Sequence, residues 1–370
     1  MQIPPFTLER YFAKHEFSAK YLLSSSDCES LRLPELLAMA SPEMHRTWYN
    51  LQLGYTESMG HPLLREEAAN FYDGLNASNL LVAAPEEAIF IFMNALLEPG
   101  DHVISTFPGY QSLYEIARAG GCQVSTWEPD EDAGWHFDLA RLAELIRPET
   151  KLVVVNFPHN PTGYIPSKSD FAKLIAMLRE KGIYLLSDEM YRYLELEAGA
   201  TLPSACEAYE KAFSLFGMSK TFGLPGLRIG WIASQHLPTL ERMLQLKDYT
   251  TICSSAPSEI LSIIALQNKD ALIEMQNARL ARNIALLDAF MAARPERFRW
   301  NRPRGGSICF PRILGVDDTL EFADTLVAEA GIMIAPSHVF DYGHQHFRIG
   351  FGRENFEEVL TLFGAYVDAM

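Results

Sequence analysis

Apolar residues fall into two kinds of run along the chain. The first kind is short: Leu80–Ala83, His102–Thr106, Cys122–Thr126, Leu152–Phe157, Ile183–Ser187, Ala212–Phe216 and Ile229–Ser234. Several of these are continuous rather than alternating, the pattern of strands buried on both faces of a mostly parallel sheet. The second kind has helical spacing. Pro62–Tyr72 opens with proline in its first turn and puts Leu64, Ala68 and Phe71 on one face. Glu86–Leu97 stops at Glu98-Pro99-Gly100, and Ser169–Lys181 stops at Gly182. Ile89–Met93, inside the first of these, reads as core packing. A longer helical pattern runs from Ser258 to about Ala293, with a break predicted near Asn268. Strands alternating with helices predict an open, doubly wound α/β sheet. The last 70 or so residues mix both signals again and predict a second, smaller domain.

Composition narrows the class. The 370 residues are 48% hydrophobic and 21% charged, which excludes disorder, collagen and coiled coil. A formal net charge of −16 argues against nucleic acid and anionic membrane surfaces as partners, although a local pocket for a small anion stays open. The five cysteines form no CxxC pair, which fits a reducing, cytoplasmic setting better than a disulfide framework or a zinc ribbon. No run of 18 apolar residues predicts a membrane span. Glu9, Arg10, Lys14 and Glu16 interrupt the N-terminal stretch, which argues against a signal peptide.

Four segments carry candidate chemistry. Asn156–Gly163 (NFPHNPTG) follows an apolar strand, at the end of a sheet where ligands bind, and the Asn160 amide can aim at a ligand oxygen or simply form a turn. Asp188 also ends an apolar strand, and a carboxylate there calls for a positive partner, structural or not. Gly217–Trp231 (GMSKTFGLPGLRIGW) superficially resembles a phosphate loop. Ser219 and Ser214 stand where a Walker A loop needs glycines, so that reading fails. What remains is Lys220, suited to a Schiff base or to plain solvation, and Arg228, able to clamp a phosphate. Arg348 sits in an apolar context (FRIGF) and calls for a carboxylate, from the protein or from a substrate. His344-x-His346 suggests a metal pair but lacks a third ligand nearby, and His159 reads as a loop residue.

The order and spacing of these residues are more specific than any one of them. Asp188 lies 28 residues after Asn160, Lys220 32 after Asp188, Arg228 8 further on, and Arg348 a further 120. With Gly54–Arg65 (GYTESMGHPLLR) and Glu98–Ile104 (EPGDHVI), the chain resembles the class I/II aminotransferases of fold type I, which use pyridoxal 5'-phosphate. The resemblance implies a doubly wound, mostly parallel seven-stranded sheet and a smaller α+β domain built from both termini. It places the large cofactor-binding domain at 46–280 and the small domain at 1–45 plus 281–370. It implies that Lys220 holds the cofactor as a Schiff base and shuttles the proton, and that Asp188 pairs with the ring nitrogen. Asn160 and Tyr191 would bond the phenolic oxygen, and Tyr110 would stack on the ring. Arg228 would bind the phosphate, and Arg348, with Asn160, the substrate α-carboxylate. Tyr55 would reach the phosphate of a neighbouring subunit, which implies a homodimer with composite sites.

Two departures stand out. Ala84-Pro85-Glu86 replaces the usual glycine- and hydroxyl-bearing phosphate cup. Pro85 has no N–H to donate. Glu86 would repel a phosphate, so it is expected to turn away and leave main-chain N–H groups to bind. Gly217 stands where many relatives carry serine, with Ser219 as the substitute. Thr250 or Thr251 occupies the position of the arginine that reads dicarboxylic substrates, so that specificity is not expected. PEEAIF and KDYTTIC resemble the branch containing capreomycidine synthase, in which an arginine-derived substrate undergoes elimination and cyclisation. Glu86, Glu87 and Asp248 suit such a cationic side chain, or are simply solvated. The expected activity is amino transfer from an L-amino acid to a 2-oxo acid. The alternative is the elimination and cyclisation chemistry. A non-catalytic regulator is disfavoured by the complete catalytic set, the acidic charge and the early start of the module.

Overall fold

A computed structural model describes residues 2–370. Its main sheet has seven strands: β1 (Leu80–Ala83), β2 (His102–Thr106), β3 (Gln123–Trp127), β4 (Thr150–Asn156), β5 (Tyr184–Asp188), β6 (Ala212–Gly217) and β7 (Gly230–Ser234). The order is β1-β7-β6-β5-β4-β2-β3, with only β7 reversed against its neighbours. The seven apolar runs of the sequence are these strands, displaced by no more than two residues at either end. The interior strands β2, β6 and β7 are buried at every residue, as is the edge strand β1, which explains continuous apolar runs. β3 is an edge strand and more exposed, which explains its weaker pattern.

Helices cover both faces. Lys168–Lys181 starts on Ser167, whose Oγ accepts from Asp170 N at 3.0 Å, and ends at Gly182 with φ +66°. The long C-terminal pattern divides into Ala256–Gln267 and Lys269–Ala292. Asn268 makes the break by turning its side-chain amide back onto Ile264 O at 2.8 Å and across to Met39 O at 3.1 Å. The helix from Pro62 ends at Ala69, shorter than expected, while Phe71 and Tyr72 stay buried in the following turn.

A second region is built from Ile308–Cys309, Phe347–Gly350 and Ala335–Pro336, an antiparallel three-stranded sheet flanked by helices Thr319–Ala330 and Phe356–Asp368. Tyr21–Leu22 pairs with Ile332–Met333, which ties the N-terminal chain to this region. Helix Lys269–Ala292 runs unbroken past position 280.

The close approach of residues 23–29 to the strand of Arg348 depends on glycine. Gly350 N donates to Leu23 O at 2.8 Å, and a Cβ on Gly350 would fall 1.6 Å from Ser25 O. We expect Gly350→Ala to cost at least about 3 kcal/mol, because the backbone cannot yield as a side chain would. A urea midpoint within error of wild type would contradict this packing.

Candidate active site

The carboxyl ends of β1, β4, β5 and β6 and the start of β7 meet along one edge of the sheet, with Asn156 opposite Asp188 and Gly230 opposite both Ala83 and Gly217. The loops leaving that edge bring ten of the eleven expected residues to one cavity of about 590 Å³. Pro85, Glu86, Tyr110, Asn160 and Asp188 line it, as do Tyr191, Ser219, Lys220, Arg228 and Arg348. Tyr55 lies outside it and is 89% exposed.

Asp188 is only 6% exposed. Its Oδ1 accepts from Met190 N at 3.0 Å, and among the described residues it forms no ion pair. Burial pushes its pKa up to about 7, against the opposing pull of the Met190 N–H and of Lys220. The Tyr191 hydroxyl beside it is buried with no hydrogen-bond partner. Lys220 Nζ donates to Ser26 Oγ at 2.8 Å, and burial lowers its pKa, which favours the neutral, nucleophilic amine. Asn156 positions the loop after β4: its Nδ2 donates to Asp188 O at 3.0 Å and its Oδ1 accepts from Asn160 N at 2.7 Å.

Arg348 is 1% exposed. Nη2 donates to Ser24 O at 2.9 Å and Nη1 to Asn160 Oδ1 at 3.2 Å, while Phe12 and Phe340 flank the guanidinium. Among the described residues no carboxylate pairs with it, so the protein itself does not supply the anion that the sequence calls for.

The phosphate side differs from expectation. Glu86 does not turn away: it lines the cavity in the first turn of helix Pro85–Leu96. Burial pushes its pKa up to about 7, with Glu9 and Asp188 adding to the rise, so much of its charge is lost near neutrality. The two departures from the usual cup form one packing unit. A Cβ on Gly217 would lie 2.6 Å from Gly230 Cα, and one on Gly230 would lie 2.9 Å from the Pro85 ring. Arg228, exposed and with φ +55°, and buried Ser219 supply side-chain donors at the same end.

The sequence reading missed the first helix. Thr7–His15 brings Phe6, Glu9 and Phe12 to the cavity, and Glu16, Ser26 and Asp27 follow. Tyr110 packs on Phe6 with 4.9 Å between ring centroids and donates to Glu9 at 3.1 Å. The helical spacing of Leu8, Tyr11 and His15, all buried, was the available signal. His344 and His346 do not converge. His346 Nε2 faces Glu131 Oε1 at 3.0 Å, and His344 turns to His338. His159 is buried in its loop, bonded to Thr162.

A buried carboxylate without a cation, beside a buried hydroxyl without a partner, fits the protonated ring nitrogen and phenolic oxygen of pyridoxal phosphate. Comparison with known proteins agrees. The sequence pattern of aminotransferase class I and II matches residues 23–362, and the chain belongs to that family. It is 30% identical to capreomycidine synthase of Streptomyces vinaceus over 94% of this chain and 90% of that one. The fold matches a pyridoxal-phosphate-dependent aminotransferase from Streptococcus suis with a TM-score of 0.94, 31% identity and coverage of 100% and 99% of the two chains. It matches the pyridoxal-phosphate-dependent cyclase OrfR with a TM-score of 0.89, 28% identity and coverage of 100% and 98%. The protein is thus a pyridoxal-phosphate-dependent enzyme of the aminotransferase family.

The carboxyl of Asp188 has a higher pKa folded than its ordinary 3.8, so the cofactor-free protein loses stability as pH rises from about 4 to about 7. We expect cofactor-free Asp188→Asn to be more stable than cofactor-free wild type at pH 8, by on the order of 3 kcal/mol, and the two to converge near pH 4. Equal urea midpoints at pH 8 would refute an uncompensated charge at Asp188.

Proposed function

We propose that the enzyme transfers the amino group of an L-amino acid to a 2-oxo acid. The observation that carries this reading is Arg348, a buried guanidinium with no carboxylate of its own, in the same cavity as Lys220. A substrate α-carboxylate is the anion it lacks, and a two-pronged bond would fix the Cα near Lys220. Pyridoxal phosphate, when bound, supplies an electron-withdrawing ring that stabilises negative charge developing at that Cα. Asp188 holds the proton on the ring nitrogen. Tyr191 and Asn160 donate to the phenolic oxygen, and Lys220 Nζ takes the proton from the substrate Cα. Tyr110 covers the ring, while Arg228, Ser219 and the main-chain N–H groups following Pro85 hold the phosphate.

The polar lining supports a second reading, elimination and cyclisation of an arginine-derived amino acid. Glu9, Glu16 and Asp27 crowd one wall, and Glu9 and Asp27 raise the pKa of Glu16 beyond the effect of burial. Thr250 and Thr251 both donate to Glu87, and no arginine stands there to receive a second carboxylate. This wall suits a cationic substrate side chain, and the similarity to capreomycidine synthase and to a cyclase agrees with it.

Tyr49, Leu53, Tyr55 and Tyr249 are each at least 76% exposed, and Thr56 bonds Ser254 to join their two segments. We infer that a second copy covers this apolar face and receives Tyr55 at its own phosphate end. No helix among the described residues is long and apolar enough to cross a membrane. All five cysteines are free and four are buried, which supports a reducing, cytoplasmic setting.

Mixing holoenzyme with single amino acids and no 2-oxo acid tests the chemistry. Transamination predicts that the bound cofactor turns to its amine form, with one equivalent of 2-oxo acid released. Release of ammonia or water with the cofactor recovered as pyridoxal phosphate favours the second reading, and no change with any amino acid overturns both. Arg348→Gln is expected to lower kcat/KM by 10²-fold or more, because each hydrogen bond to a charged group contributes about 1.5–3 kcal/mol, while cofactor affinity stays within a few-fold. An unchanged kcat/KM would remove Arg348 from substrate binding. Leu53→Glu with Tyr249→Glu is expected to yield a monomer by sedimentation, and a dimer that persists would place the interface elsewhere.

A further inference from the structure

On the C-terminal region, away from the cavity, three side chains distant in sequence meet. His338 Nε2 lies 2.8 Å from His344 Nδ1 and 3.5 Å from Asp318 Oδ2, and all three atoms fall within 4.8 Å of one another. None of the three lines the catalytic cavity.

The backbone around them is pinned. Asp318 caps helix Thr319–Ala330, with Oδ1 accepting from Leu320 N at 2.7 Å, and this leaves Oδ2 for the imidazole. Thr319 N donates to His344 O at 2.8 Å. Ser337 Oγ donates to Gly343 O at 3.1 Å, and Tyr342 N donates to Ser337 O, closing the turn between the histidines. His344 is exposed, so the cluster opens to solvent.

We propose that Asp318 Oδ2, His338 Nε2 and His344 Nδ1 bind one divalent transition-metal ion of the zinc class, with water as the fourth ligand. Two imidazoles and one carboxylate form a nitrogen–oxygen donor set that suits zinc and disfavours magnesium or calcium, which prefer oxygen alone. The carboxylate is oriented by its helix cap, as outer contacts orient ligands in metal sites. Two nitrogens on a tetrahedral ion at about 2.0–2.1 Å stand wider apart than a hydrogen-bonded pair. The exposed His344 ring can open that distance, because His338 is the more buried partner. The ion would clamp helix Thr319–Ala330 to the turn that leads into the strand of Arg348, so its role is structural.

Holoenzyme stripped with EDTA, desalted and titrated with ZnCl₂ in a calorimeter tests this. One equivalent is expected to bind, and His344→Gln, His338→Gln and Asp318→Asn, which keeps the cap, are each expected to weaken it at least tenfold. Cobalt(II) should give tetrahedral visible bands in wild type that His344→Gln lacks. The absorption of bound cofactor should not change in His344→Gln, which separates this site from the catalytic one. Failure to bind a stoichiometric ion, or equal binding by wild type and His344→Gln, overturns the proposal.

Discussion

Two opposite charges are buried in one cavity and do not neutralise each other. Asp188 has no cation and Arg348 no anion, though burying an unpaired ion costs several kcal/mol. A chain selected only for stability would pair them or replace them. Their separation is maintained by the scaffold. Asp188 is fixed at the end of a central strand, and Arg348 lies on a different sheet, held by Ser24 O and the Asn160 amide. Neutral acceptors orient the guanidinium without discharging it. In the proposed function the cofactor nitrogen and the substrate carboxylate would be the two counter-charges missing from the protein, so one electrostatic constraint would prepare both binding events. The residues around these two charges, from Asn156 to the Ser24–Ser26 segment laid over Gly350, act as supports for that constraint.

The phosphate end shows how packing changes chemistry. The Pro85 ring rests on Gly230, and Gly230 rests on Gly217. Serine at Gly217 would drive its Cβ into the next strand, so the proline and the missing hydroxyl go together. The cup loses one main-chain donor and one side-chain donor at once. Glu86, its pKa pushed up to about 7 by burial and then by Glu9 and Asp188, brings less repulsion near neutrality than an ordinary carboxylate would. An anion bound there, as proposed, would lean on Arg228, Ser219 and the helix terminus.

The strands were legible because a parallel sheet covered on both faces needs continuous apolar runs; Asn160, Asp188 and Lys220 stood out because they end or follow those strands at the carboxyl edge, and Arg348, on the smaller sheet, because of its apolar context. Asn268 was legible as a helix break, with its side chain bonded to Ile264 O and Met39 O. What the sequence hid depends on contacts distant along the chain. Glu9 and Glu16 looked like charges on an ordinary terminal segment until that segment folded over the cavity. His344 and His346 looked like a pair because they are two residues apart. The turn from Ser337 to Gly343 sends one to His338 and the strand sends the other to Glu131. Local spacing carries no information about a partner brought in by tertiary structure.

The cavity's charges also bear on the substrate. Lys220, Arg228 and Arg348 each have an anionic or covalent partner in the proposed chemistry, and Asp188 has the ring nitrogen. Of the remaining acids, Asp27 is already paired with Arg353 at 2.9 Å, and Glu9 accepts from Tyr110. Glu16, its pKa raised by burial and by both neighbours, forms no ion pair among the described residues, and neither does Glu86 at the other end of the cavity. A substrate bearing a second carboxylate would add to that repulsion, and one bearing a cation would relieve it. Under the proposed function the first helix would do for the substrate side chain what Arg348 would do for the α-carboxylate: offer the charge that the ligand has to complete.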